Sequence, residues 1–119
     1  MLFSIATGNR DDHAKNHGAL HVAGTTFRLA PAFDLVPMPQ VSTTYRQAMI
    51  VGLQGQESNL ANALSAVQHF MLNDDDAKAI ARRVSEVVAS WRKYFADAGV
   101  READMDYVQA CFDVGRITL

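Results

Sequence analysis

The chain has 119 residues, of which 49% are apolar, so it is long enough to fold as one compact domain. Its formal net charge of −2 excludes a strong overall field, which argues against binding nucleic acid or an anionic membrane through bulk charge. Cys111 is the single cysteine, so an internal disulfide is excluded, and no signal peptide or apolar run of about 20 residues occurs. We therefore expect one cytoplasmic domain, residues 1–119, that does not bind membranes.

The first half of the chain, residues 1–56, is predicted to form loops and short strands. It contains all three prolines and most of the seven glycines, and no helical period is sustained there. Leu20–Val22 and Phe27–Leu29 flank Gly24, a residue that tolerates positive φ, so this segment is predicted to form a β-hairpin. Residues 48–53 are a further strand candidate, although a short apolar run does not separate a strand from a buried helix.

The second half is predicted to be helical. Leu60, Leu64, Val67 and Met71 recur at helical spacing and predict an amphipathic helix over residues 58–72. The fold class expected for the whole chain is therefore mainly α, with a small β-hairpin near the N-terminus.

Two more helices complete the predicted elements. Asn73 is a typical N-cap, and Asp74–Asp76 would lie in the first turn, where the helix dipole favours negative charge. The helical period then continues to Gly99, a natural left-handed C-terminal residue, which predicts the longest helix of the chain. A last helix is predicted over Glu102–Phe112.

Polar chemistry is concentrated in residues 8–17, where acids, imidazoles, bases and amides follow one another between apolar flanks. Asp11 and Asn16 are five residues apart, the Asp-x-x-x-x-Asn interval of a kinase catalytic loop. In such a loop the aspartate accepts the proton of the attacking hydroxyl and the amide oxygen binds magnesium. Asp34, which follows the predicted hairpin, would supply the second metal ligand.

Simpler interpretations exist for these polar residues. Asp12 fits a solvated loop acid beside Asp11. Asp11, Asn16 and Asp34 also suit turns, because Asn and Asp side chains bond to nearby backbone. His13, His17 and His21 recur every four residues, which on a helix would suggest zinc, but Gly18 and the strand that follows it interrupt such a helix.

The apolar and basic residues of the second half have structural interpretations. Cys111 is expected to be a buried small hydrophobe, and Trp91 and Phe95 are expected in the core. The cluster formed by Arg82, Arg83, Arg92 and Lys93 is expected to be a solvated helix face, since acids are interspersed with it.

Residues 9–17 and 29–37, with the strand pair between them, closely resemble two motifs of the C-terminal region of HipA-like serine/threonine kinases. These kinases are the toxins of bacterial toxin–antitoxin pairs. Both motifs occur in the family's order and at its separation. The resemblance extends over nearly the whole chain, although its helical part is less diagnostic, and it implies a fold like a kinase C-terminal lobe.

The resemblance also implies roles for individual residues. Asp11 would be the catalytic base, and Asn16 and Asp34 would be the ligands of Mg²⁺. His13 and Lys15 would lie near the phosphates of ATP, as nucleotide-binding residues together with Asn16 and Asp34.

A complete kinase of this family has an N-terminal lobe with a phosphate-covering loop and an ATP-binding lysine. Ser4–Gly8 does not replace it, because it lacks the second glycine and the Lys-Ser or Lys-Thr pair of a Walker-type loop. We therefore expect a C-terminal-lobe fragment that is inactive alone. The complete protein would transfer the γ-phosphate of ATP to a serine or threonine of a protein substrate.

A non-enzymatic role is the alternative. HipA-like proteins pair with a DNA-binding antitoxin, so the chain could be an interaction module in transcriptional regulation, contacting DNA only through that antitoxin. An upstream reading frame with a glycine-rich loop and a lysine would favour the enzyme.

Overall fold

The computed structural model describes residues 1–39 and 45–118, and over these ranges the fold is mainly α with one small hairpin, as predicted. No helix within these ranges is long and apolar enough to cross a membrane. The α-helices are α1 Leu2–Ala6, α2 Leu60–Leu64, α3 Asp74–Ala89, α4 Trp91–Asp97 and α5 Glu102–Val108. The strands are β1 Ala19–Ala23 and β2 Thr26–Leu29. Short 3₁₀ helices are formed by Ala14–Asn16, Val67–Phe70, Gln109–Cys111 and Val114–Ile117.

The predicted hairpin is confirmed. β1 and β2 are antiparallel, with Ala19 opposite Leu29 and His21 opposite Phe27. Gly24 lies in the turn with φ +53°, the left-handed conformation that the sequence predicted for it. Every residue of both strands is exposed, so the hairpin projects from the domain and does not contribute to its core.

The core is built around the short helix α1. Ile5 and Ala6 are completely buried and pack with Val51, Val88 and Ile117, which come from distant parts of the chain. The backbone N–H of Asp113 also donates to the carbonyl of Ala6 at 3.0 Å. The segment that leads into the predicted catalytic loop is therefore fixed to the helical half.

The helix predicted over residues 58–72 is wrong in its length, because α2 ends at Leu64. The Ser65 hydroxyl donates to the Asn62 carbonyl at 2.6 Å and accepts from the Leu53 N–H at 2.9 Å. The hydroxyl thereby competes for the carbonyl that a continued helix would use. Ala66 N–H donates to Ala63 instead, and a 3₁₀ turn follows.

The longest helix was predicted to continue to Gly99, but the structure divides it at Ser90 into α3 and α4. Its ends are confirmed: the Asn73 side chain accepts from the Asp76 N–H, and Gly99 has φ +79°. Ser90 leaves the helical conformation at φ −95° and ψ 13°. Periodicity alone does not show this break, since the apolar spacing is continuous through it.

Aromatic packing follows the break at Ser90. Trp91 and Phe95 were expected in the core, and they are partly buried in a cluster with Phe112. The Trp91 and Phe112 rings stack at 4.2 Å between centroids, and Phe95 meets Phe112 edge to face at 5.6 Å. The cluster joins α4 to the chain that follows α5.

The last helix, predicted over Glu102–Phe112, ends as an α-helix at Val108 and tightens into a 3₁₀ turn at Gln109–Cys111. Cys111 is completely buried, as expected, and burial raises the pKa of its thiol, with the positive charge of Arg116 opposing that shift. Arg92 and Lys93 face solvent in part and pair with Asp106 and Asp97, which supports the solvated-face interpretation for these two residues.

The strand predicted at residues 48–53 is wrong. This segment forms a turn with an isolated bridge between Gly52 and Gly55. The buried side chain of Asn62 holds the turn: its Oδ1 accepts from the Gln54 N–H, and its Nδ2 donates to the carbonyls of Gly55 and Glu57. Within residues 48–53, the N–H groups of Val51 and Gly52 donate to the Gly55 carbonyl, and the N–H of Leu53 donates to the Ser65 hydroxyl. These backbone groups therefore need no neighbouring strand.

Candidate functional site

The candidate site lies where the chain leaves α1. Gly8 follows the helix with φ +66°, a conformation that favours glycine, and residues 9–13 continue without regular secondary structure. The 3₁₀ turn Ala14–Asn16 comes next and leads into the hairpin. At the base of the hairpin the Ala30 N–H donates to the Gly18 carbonyl at 2.8 Å. The two sequence motifs therefore return to the same end of the ribbon.

A cleft of about 230 Å³ opens between these two segments. Asn16 lines it from the first motif and Asp34 lines it from the second, although the whole hairpin separates them in sequence. The structure thus brings together the two residues that the sequence assigned to magnesium. Asp12 and His17 also line the cleft.

Asn16 is oriented by its own loop. Its side-chain Nδ2 donates to the backbone carbonyl of Asp11 at 3.0 Å. This bond uses the donor end of the amide, and among the described residues no hydrogen bond to Oδ1 of Asn16 occurs. The oxygen end is therefore left for a ligand.

Asp34 adopts an unusual backbone conformation with φ +57°. Aspartate tolerates the left-handed region better than most residues do, because its short polar side chain forms local bonds there. The carbonyl of Asp34 accepts from Nδ2 of Asn9 at 3.3 Å, and Asp34 is one of the residues that line the cleft. Within the described ranges its carboxylate has no ion pair, so it is open to a cation.

The other predicted site residues lie beside the cleft and do not line it. The Asp11 side chain is 65% exposed, and its Oδ1 is 3.9 Å from Nε2 of His13. Nδ1 of His13 is buried without a hydrogen-bond partner. Lys15 is exposed in the 3₁₀ turn. The structure thus places Asp11, His13 and Lys15 on the loop that borders the cleft.

Asp12 corrects the expectation of a solvated loop acid. It is only 7% exposed, and its Oδ1 lies 3.6 Å from Nε2 of His17. A buried carboxylate needs such a partner, because desolvation penalises its charge. This burial is not visible in the sequence, because Asp11 and Asp12 are adjacent acids of which the first faces solvent and the second faces the domain.

The three regularly spaced histidines do not form one group. His17 bonds through Nδ1 to the His13 carbonyl, whereas His21 lies in β1 and bonds through Nε2 to the Gly24 carbonyl. Across residues 1–39 and 45–118, no group of three or more His, Cys, Asp and Glu side chains is arranged to hold a metal ion. A site made of one carboxylate and one amide is not a group of this kind, because it contains fewer than three such side chains.

Asn9 is a residue of the candidate site that the sequence interpretation missed. It is 1% exposed and bonds to both motifs, accepting from the Asp11 N–H at 3.0 Å and donating to the Asp34 carbonyl. Its position directly after Gly8, where a helix ends and a polar loop begins, is the one signal that the sequence offers. This position does not reveal that the Asn9 side chain is buried.

Residues 1–91 match the family described as the HipA-like C-terminal domain. The chain belongs to this family. No curated protein and no solved structure matches the chain. The matched range includes the loop with Asp11, the hairpin, Asp34 and helices α2 and α3, so the HipA-like resemblance of the two motifs is confirmed at the level of the family.

The donor atoms in the cleft fit Mg²⁺. Magnesium prefers oxygen ligands and usually keeps several waters while using one or two carboxylates of the protein. Asp34 would supply a carboxylate oxygen, and Asn16 would supply the amide oxygen at the opposite end of the group that donates to the Asp11 carbonyl. The cleft is partly open, which leaves room for the remaining water and phosphate ligands.

Proposed function

We propose that this HipA-like domain carries the metal-binding and proton-accepting part of the active site of an ATP-dependent protein serine/threonine kinase. The observation that carries the proposal is the shared cleft of Asn16 and Asp34. These residues come from motifs on opposite sides of the hairpin, and a catalytic loop and a separate metal-binding aspartate must meet in this way for phosphoryl transfer.

Each residue has a defined task in this proposal. Asp11 accepts the proton of the attacking serine or threonine hydroxyl, for which its exposed carboxylate is accessible to a protein substrate. Asn16 and Asp34 hold Mg²⁺ through oxygen atoms. When bound there, magnesium supplies positive charge that neutralises the phosphates of ATP. Lys15, on the same loop, contributes positive charge beside the phosphates, and His13 lies there as a further phosphate-binding group.

The size of the cleft limits what it binds alone. Pockets that enclose drug-sized ligands measure about 300–1,000 Å³. A cleft of about 230 Å³ holds a hydrated ion and phosphate oxygens, but it does not enclose a nucleoside. We therefore propose that a nucleotide-binding lobe of a HipA-like kinase completes the site, and that the whole protein acts as the toxin of a toxin–antitoxin pair.

Manganese binding tests the metal assignment, because Mn²⁺ replaces Mg²⁺ at oxygen sites and broadens nearby NMR signals. We expect the side-chain amide of Asn16 and the backbone amide of Asp34 to broaden first. Asp34→Asn and Asn16→Ala should each weaken Mn²⁺ binding. Asp75→Asn is the matched control, since Asp75 is an exposed acid in the first turn of α3 and lies outside the cleft.

Equal loss of binding in the control, or no change in both site variants, would contradict the proposed site. The rival role, a non-enzymatic module that binds an antitoxin, would then be favoured. The exposed apolar side chains of the hairpin support that alternative: Val22, Phe27 and Leu29 each expose more than half of their surface.

A further inference from the structure

Asn9 joins the two halves of the cleft through a single buried side chain. Oδ1 accepts from the Asp11 N–H at 3.0 Å, and Nδ2 donates to the Asp34 carbonyl at 3.3 Å. Both ends of the amide are therefore used, one toward each motif. Asn9 is 1% exposed and lies three residues after the end of α1, whose Ile5 and Ala6 belong to the core.

Asn9 contacts Asp34 at a residue with an unusual backbone conformation. Asp34 has φ +57°, which is uncommon for a residue other than glycine. Donation from Asn9 to the Asp34 carbonyl holds the peptide group that follows this residue. A change in that peptide would rotate the Asp34 backbone and change the direction of its carboxylate relative to the cleft.

We propose that Asn9 is a positioning residue that sets the Asp34 carboxylate against the loop of Asp11 and Asn16. This inference rests on the proposed function, because it gives Asp34 the metal-binding task described above. Groups that orient a metal ligand typically affect metal affinity by about 10- to 100-fold when they are removed. Asn9 acts through Asp34 and Asp11 and has no contact of its own with the reacting groups in this account.

Asn9→Asp separates the two bonds, because the carboxylate has nearly the shape of the amide. The introduced carboxylate still accepts from the Asp11 N–H but no longer donates to the Asp34 carbonyl. Its negative charge near the cleft would by itself increase the attraction for Mn²⁺. We expect Mn²⁺ affinity to fall about 10-fold or more despite this charge. An unchanged or increased affinity would overturn the positioning role.

Asn62→Asp is the matched control. Asn62 is also completely buried, and its Nδ2 donates to the carbonyls of Gly55 and Glu57 in a turn that does not line the cleft. Both variants therefore lose buried amide donors and gain a charge. We expect Asn62→Asp to lower the melting temperature without a change in Mn²⁺ affinity. An equal loss of affinity in both variants would mean that general destabilisation, and not positioning, explains the effect.

An NMR measurement without metal separates this inference from the proposed function. In the native chain the φ-sensitive coupling of Asp34 should show the left-handed conformation, and Asn9→Asp should change that coupling and the Asp34 carbonyl shift. An unchanged Asp34 overturns the inference even if Mn²⁺ binds as proposed. If Asp34 changes but the native chain binds no Mn²⁺, the bridge by Asn9 is supported and the proposed function is contradicted.

The native chain provides a test that remains valid if the variants do not fold. The Nδ2 protons of Asn9 should exchange slowly with solvent, and a through-hydrogen-bond coupling should connect this nitrogen to the Asp34 carbonyl carbon. Fast exchange and the absence of that coupling would overturn the inference.

Discussion

The segment that forms the cleft and the helical half of the domain are stabilised by different interactions. Buried side chains near the start of the chain are often polar, and they include Ser4, Thr7, Asn9 and Asp12. In the helical half, α3 buries Ala77, Ala81 and Val88, and α5 buries Met105. Polar bonds fix direction, whereas apolar burial mainly supplies stability without direction. The polar contacts near the start of the chain therefore orient the groups around the cleft, whereas the apolar side chains of α3 and α5 mainly stabilise the fold.

The largest expected effect separates activity from stability in the cleft segment. Asp11→Asn, in this domain joined to the nucleotide-binding lobe of a HipA-like kinase, should lower phosphoryl transfer about 10²- to 10⁴-fold, because the amide does not accept the proton. The Asp11 side chain is largely exposed, so the melting temperature should not change. Transfer of labelled phosphate and thermal melting measure the two quantities. If Asp11→Asn lost its cooperative thermal melting as well as its activity, Asp11 would instead have a structural role.

Core and hairpin side chains should show the opposite pattern. Ile5→Ala should lower the free energy of unfolding by about 2–5 kcal/mol, because Ile5 is completely buried at the centre of the core. Phe27→Ala, at a hairpin residue that is 61% exposed, should change it by no more than about 0.5 kcal/mol. Urea unfolding monitored by circular dichroism measures both. Similar losses in the two variants would show that the hairpin contributes to the core.

Alanine substitutions at two glycines of one turn should lower the free energy of unfolding by different amounts. A Cβ at Gly52 would lie 1.9 Å from the backbone oxygen of Asn62, so Gly52→Ala should cost about 3 kcal/mol or more. Gly55 has open space around it but φ +68°, so Gly55→Ala should cost only about 1–2 kcal/mol of backbone strain. Denaturant unfolding gives both values. The reverse order would contradict the close packing of this turn on α2.

Sequence predicted the elements that depend on local chemistry. The hairpin with Gly24, the N-cap Asn73 and the left-handed Gly99 are all confirmed. The ends of helices at Ser65 and Ser90 were missed, because a serine within an apolar period does not show whether its hydroxyl or a tertiary contact will interrupt the helix. The strand at residues 48–53 was wrong because Val51 and Gly52 donate to the Gly55 carbonyl within a turn, and Leu53 donates to the distant Ser65 hydroxyl.

The candidate site was predictable in part for the same reason. The spacing of Asp11 and Asn16 and the position of Asp34 are readable in the chain, and the hairpin explains why they converge. The burial of Asp12 and the two hydrogen bonds that Asn9 makes to Asp11 and Asp34 depend on how the loop folds onto α1. No local pattern encodes the side to which an adjacent polar residue points in a loop.

The smallest expected effect concerns Cys111 in the helical half. Burial raises the pKa of its thiol above the usual value of 9.0. The folded state therefore binds this proton more tightly than the unfolded state does. The contribution to stability is complete below about pH 9 and is lost as the pH rises through the folded pKa. Unfolding free energies measured from pH 7 to 10 should fall on the alkaline side, and Cys111→Ala should reduce that fall. An equal alkaline fall of the unfolding free energy in the native chain and in Cys111→Ala would contradict this contribution of the Cys111 thiol.

The most direct test of the central claim is the position of a bound ion in crystals grown with Mn²⁺, located by its anomalous scattering. We expect one ion within about 2.0–2.3 Å of the Asn16 Oδ1 and an Asp34 carboxylate oxygen, since Mn²⁺ substitutes for Mg²⁺ with closely similar oxygen distances. Anomalous density only at the acidic first turn of α3, with the cleft between Asn16 and Asp34 empty, would contradict the proposed metal site.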